Sequence, residues 1–119
     1  MNMYEDKYSF IGYEINGVIK SCCAYDSFNG ISVNAHIKVT GYSPKEFWWF
    51  IFYYPFEQLG ATKIIAPVVG TNINAIKLCK RMGFVKEAEI KDCHPLGDAV
   101  FLTITRKQCK MLERFGQPR

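Results

Sequence analysis

From residue 31 to residue 40 apolar and polar side chains alternate without a break, with Ile31, Val33, Ala35, Ile37 and Val39 set against Ser32, Asn34, His36, Lys38 and Thr40. A period of two predicts a strand with one core face and one polar face, and the polar face is where chemistry could sit. Before it, Tyr8 to Ile15 is aromatic and β-branched and ends in Asn16-Gly17, a dipeptide that favours a tight turn between antiparallel strands. The second strand of that hairpin is Val18 to Asp26, and Ser27, Phe28, Asn29 and Gly30 turn the chain again.

The pattern then changes. Ser43-Pro44-Lys45-Glu46 reads as a helix start, with Ser43 as N-cap, Pro44 as first helical residue and Glu46 closing a capping box. The helix carries the aromatic run Phe47 to Phe56 and stops at Gly60, with Pro55 kinking its last turn. Lys63 to Val69 is almost continuously apolar, the pattern of a strand buried on both faces, yet it contains Pro67. Proline cannot donate to a ladder, so this strand should lose pairing to one neighbour through splay, a bulge or an edge. Gly70-Thr71-Asn72 ends it, Asn72 or Thr71 caps a helix over Ile73 to Met82, and Ile73, Ile76 and Leu78 are expected to face inward. Gly83 suits a left-handed cap. A strand from Phe84 to Asp92, a loop with a solvated His94, a strand from Ala99 to Thr105 and a short helix over Arg106 to Phe115 complete a single α/β (α+β) domain of mixed sheet.

Composition narrows the function. At 119 residues and 49% hydrophobic content the chain builds one core. A net charge of +4, mild apart from the basic stretch after Arg106, suits an anionic ligand such as a nucleotide phosphate and is too thin for a nucleic-acid face. The five cysteines, Cys22, Cys23, Cys79, Cys93 and Cys109, form no CxxC pair, so neither a disulfide framework nor a metal site is expected, and a reducing cytoplasm fits. Met1 to Lys7 has no signal-peptide h-region, and the aromatic run is too short for the ~20 apolar residues of a membrane span.

Asn72-Ile-Asn-Ala75-Ile-Lys-Leu78-Cys79-Lys-Arg-Met-Gly83-Phe84 resembles the signature N-x-x-A-x-x-L-Y-x-x-x-G-F of the GNAT superfamily of N-acetyltransferases, in the manner of small phage-encoded and ribosomal-protein-acetylating members. The resemblance covers about Ile31 to Thr105. It implies a mostly antiparallel sheet in which Ile31–Thr40 and Lys63–Val69 part in a V, with acetyl-coenzyme A in the opening and a primary amine, on a protein, as acceptor. It further implies that Ile37, Lys38 and Val39 meet the thioester, that Ser43 and Lys45 at the helix start meet the pyrophosphate, that Ala75 helps bind the cofactor, and that Asn72 approaches the pantetheine arm or, in a catalytic role, the acceptor amine. His36 is the general-base candidate, and the same position fits a hydrogen-bonded sheet histidine. Asn72 equally fits a plain helix cap, and Cys79, standing where the family places its acid tyrosine, fits either that role or a small buried residue. The chain departs from the family at Thr40-Gly41-Tyr42-Ser43-Pro44-Lys45, where a glycine-rich loop is usual, and Met1 to Lys7 offers no counterpart of the family's first strand and two helices. An acceptor side that is open or completed by a second copy follows. The alternative is a fold relative that acts as an assembly module.

Overall fold

The computed structural model describes residues 9–115. Its strands are β1 (Ser9–Ile15), β2 (Val18–Asp26), β3 (Ser32–Val39), β4 (Lys63–Val69), β5 (Val85–His94) and β6 (Gly97–Thr105), and its helices are α1 (Lys45–Tyr53), α2 (Ile73–Met82) and α3 (Lys110–Phe115). They form one six-stranded sheet in the order β1-β2-β3-β4-β6-β5. All neighbours are antiparallel except β3 and β4, which run parallel. The expected start of β1 at Tyr8 lies outside the described residues.

Asn16 and Gly17 both take positive φ, 51° and 80°, so the β1–β2 turn has the hand that matches strand twist. The alternation read in β3 is seen in its burial. Val33 and Ala35 are buried, whereas His36 and Lys38 are exposed. By register Tyr25 sits beside Ala35, Val33 beside Ile64, Ile64 beside Ile104 and Ala66 beside Leu102, which places these buried residues on one face. Helix α1 lies across that face with Phe47, Trp49, Ile51 and Phe52 buried, and the Tyr25 hydroxyl donates to the Ile51 carbonyl. Phe52 also meets Phe84, just beyond α2, with ring centroids 6.0 Å apart.

The other face of the sheet carries Asp26, Asn34, His36, Ile65, Pro67 and Phe101, all at least partly accessible. No helix covers it among the described residues. Lys63–Val69 is therefore not buried on both faces, as its apolar run led one to expect, because only Ile64 and Ala66 of its residues are fully buried.

Three further expectations are corrected. Ser43 does not cap α1: Pro44 occupies the N-cap position, no side chain caps the first turn, and the buried Ser43 hydroxyl is bonded to that of Ser21 on β2. A tertiary partner has won over the local one. Ile73 does not face inward but is 53% exposed, since α2 buries only Cys79 and Met82. The last helix begins at Lys110, after a turn, rather than at Arg106.

Around Pro55 the helix changes its winding. The proline sits in a π-helical turn, Tyr54–Gln58, in which the Leu59 N–H reaches back to the Tyr54 carbonyl at 2.9 Å. The wider ring accommodates a residue with no N–H. Gly60, at φ 81°, then ends the turn.

Helix α2 ends in a Schellman cap, with the Gly83 N–H on the Lys80 carbonyl at 3.1 Å and the Phe84 N–H on the Cys79 carbonyl at 3.0 Å. Gly83 has φ 110°, and a Cβ there would stand 3.2 Å from Cδ1 of the fully buried Ile104. Replacing Gly83 with Ala should therefore cost about 1–2 kcal/mol, seen as a lower denaturant midpoint at unchanged slope.

Candidate active site

Pairing between β3 and β4 stops early. Ser32, Val33 and Asn34 are in register with Lys63, Ile64 and Ile65, and beyond them the strands separate, while β4 stays paired to β6 along its whole length from Lys63 to Val69. Strand parity explains where the break falls. Gly70 donates to Asp98 at the end of β6, so alternate positions back along β4 face β6 and residue 67 faces β3. There proline has no N–H to give. The same reasoning on β3, where Thr40 donates to the Lys20 carbonyl of β2, turns the backbone groups of Ala35, Ile37 and Val39 toward the gap. Of the outcomes that Pro67 allowed, the fold takes splay.

The gap is a cleft of about 230 Å³, lined on β3 by Ala35, His36 and Ile37, on β4 by residues 66–69, and on α2 by Asn72, Ala75, Leu78 and Cys79. Of the residues singled out from the sequence, His36, Ile37, Asn72, Ala75 and Cys79 come together here. Lys38 and Val39 follow on the same strand outside the lining, and Ser43 and Lys45 lie at the start of α1. The Asn72 side chain accepts the Ala75 N–H at 3.2 Å, the capping role anticipated for it.

His36 is not alone. Its Nε2 lies 2.8 Å from Oδ2 of Asp26, whose Oδ1 accepts the Ser27 hydroxyl at 2.8 Å and the Asn34 amide at 3.3 Å. Burial pushes the Asp26 carboxyl up, but hydrogen bonds from Ser27, His36 and Asn34 outweigh it and hold the group below its usual range. Sequence reasoning missed Asp26. The signal was available: with Ala24 opposite His36 and Asp26 opposite Asn34, the two side chains are diagonal neighbours on one face.

Burial pushes the Cys79 thiol up to about 11. Such a thiol stays protonated at neutral pH and is a poor donor to a departing thiolate, whose own pKa is near the ordinary 8.5 of a thiol. Position therefore favours Cys79 as cleft wall over Cys79 as acid.

A second groove, about 430 Å³, runs between α2 and the β5–β6 turn. Within it Lys86 pairs with Glu89 at 2.6 Å, and Asp98 pairs with Lys91 at 3.5 Å. No cluster able to hold a metal ion occurs among the described residues, and no helix there is long and apolar enough to cross a membrane.

Because only thiolate attacks an alkylating agent, Cys79 should react with iodoacetamide at pH 7.5 about a hundredfold more slowly than an ordinary exposed thiol. Peptide mass spectrometry, with exposed Cys93 as the internal comparison, checks this.

No protein-family model matches the sequence, and no curated protein matches it. Solved structures do. A variant of the spermidine N-acetyltransferase SpeG from Vibrio cholerae superposes with a TM-score of 0.73 at 19% identity, over 96% of this chain and 73% of that one. The N-acetyltransferase PseH of Campylobacter jejuni, in complex with acetyl coenzyme A, gives 0.69 at 16%, over 87% and 72%. A probable acetyltransferase gives 0.71 at 14%, over 88% and 66%. Likeness at such identities is a likeness of backbone, and this backbone, a mixed sheet split between two parallel strands, has the GNAT fold of the N-acetyltransferases.

Proposed function

We propose that the protein transfers an acetyl group from acetyl-coenzyme A to a primary amine carried by a protein. The observation that carries this reading is the split between β3 and β4, which leaves two strand edges free to bond an extended ligand above a helix that closes the cleft floor. The cleft is of a size for an acylated thiol arm, not for a whole nucleotide. The nucleotide end would then lie along the start of α1, whose first turn no side chain caps and whose dipole favours anions. Ser43, tied to Ser21, would contribute there through its backbone, and Lys45 through its charge.

The chemistry needs three things of the chain. His36 takes the proton that the amine loses as its nitrogen attacks the thioester carbonyl carbon. The N–H groups that β3 turns into the gap, Ile37 foremost, stabilise the negative charge that develops on the carbonyl oxygen while the carbon–nitrogen bond forms and the carbon–sulfur bond breaks. The departing thiolate takes its proton from solvent at the cleft mouth, since Cys79 is too weak an acid. A protein acceptor is favoured by the sheet face on which exposed His36 lies, which no described helix covers and which leaves room for a large partner. That weak acid also favours a second reading, in which the chain binds acetyl-coenzyme A but turns it over slowly and works as an assembly module, in the cytoplasm and as a dimer.

Acetyl-coenzyme A at 100 times its dissociation constant should raise stability by about 2.7 kcal/mol, read as a higher melting temperature. Ala75→Trp, which fills the cleft, should abolish the rise, and a wild type unmoved by millimolar ligand would end both readings. His36→Ala should leave the thermal shift intact and lower the rate of lysine acetylation by about a hundredfold, whereas an undiminished rate removes His36 as base.

A further inference from the structure

We infer that Asp26 is a positioning residue for His36, fixing the ring so that Nε2 carries a proton and Nδ1 is the atom that accepts the proton of the incoming amine. This rests on the acetyltransfer reading above. The geometry comes first: Asp26 Oδ2 lies 2.8 Å from His36 Nε2, and His36 borders the cleft between β3 and β4. An ionised carboxylate can only accept hydrogen bonds, so its histidine partner must donate from Nε2. The neutral ring then has its lone pair on Nδ1.

The carboxylate itself is held from two sides. Ser27 at the end of β2 and Asn34 on β3 both give their hydrogens to Oδ1, which leaves Oδ2 for the histidine alone. Asn34 and Lys38 flank His36 along β3, Cys22 and Asp26 are its diagonal neighbours on β2, and Cys79 shares the cleft from α2. Asp26 is the only carboxylate among these neighbours.

That arrangement makes an unusual prediction about Asp26→Asn. The substituted side chain keeps the shape, but Ser27 and Asn34 are both donors at the Oδ1 position and hold the amide oxygen there. The amide NH₂ is then forced to face Nε2. Two donors cannot meet, so Nε2 becomes the acceptor and the proton moves to Nδ1, which can no longer serve as base. Asp26→Ala removes every one of these contacts and leaves the ring to water, with Nε2–H available again.

The experiment is therefore an ordering. Nitrogen-15 NMR of the neutral His36 ring should show the proton on Nε2 in the wild type and on Nδ1 in Asp26→Asn. The turnover number for acetyl transfer should fall about a hundredfold in Asp26→Asn, as far as in His36→Ala, and less in Asp26→Ala, with KM for acetyl-coenzyme A unchanged in both. A merely structural Asp26 predicts the reverse order, because Asn preserves the Ser27 and Asn34 bonds that Ala loses. That reverse order, or a wild-type ring protonated on Nδ1, overturns the assignment. A wild type that binds acetyl-coenzyme A but acetylates nothing overturns the acetyltransfer reading instead, so the two failures are told apart.

Discussion

One missing hydrogen organises this protein. Pro67 presents no N–H on the edge of β4 that faces β3, and the ladder between the two parallel strands cannot continue past Ile65. A gap in the middle of a sheet leaves backbone groups without partners, which is costly wherever water is excluded. The cost is contained because β4 keeps its full register with β6, from Lys63 opposite Thr105 to Val69 opposite Ala99. The strand is thus rigid on one side and open on the other. The cleft is a slot in an ordered frame, and its lining is set by strand registers rather than by loops.

The rest of the molecule supports that slot from one side. Helix α1 covers the apolar face of β2 to β4, and its last turn widens around Pro55 so that Ala61 can return its N–H to the Pro55 carbonyl and deliver the chain into β4. Arg106 binds Glu57 at 2.7 Å, tying that turn to the far end of β6. Asn72 then starts α2 within three residues of the end of β4, so the helix that walls the cleft begins directly after the strand that borders it. On the side that no described helix covers lies the polar row of Asp26, Asn34 and His36, where a partly accessible carboxylate and imidazole can bond each other and still meet a ligand.

The two edges of the sheet differ as well. β5 is exposed along all ten residues, but it alternates Lys86, Glu87, Glu89 and Lys91 and has a positive φ at Asp92, features that discourage pairing with another chain. Glu87 is engaged by Lys63 at 3.0 Å and by Thr103 at 2.7 Å, so part of that charge is also tied to the start of β4 and to β6.

Local chemistry settled most of the architecture. Periodicity of two in residues 31–40, the Asn16-Gly17 turn, the Asn72 cap and the Gly83 stop act over a few residues, so their consequences could be read from neighbours in sequence, and the structure has them. Pro67 also declared that one ladder would fail. What it could not declare was which neighbour would be lost, because that depends on strand parity fixed from Gly70 and Asp98, 28 positions apart. The same limit explains the misread positions. Ser43 had a good local role and took a distant one with Ser21, and Ile73 fitted a helical stripe whose direction only packing decides. Asp26 and His36 are ten residues apart and meet only once β2 and β3 are in register. The sequence by itself determined the elements and their order, since these follow from short-range backbone and side-chain preferences. The candidate site, with a histidine held by an aspartate at the lip of a split sheet, was decided by tertiary structure, since its contacts exist only between strands.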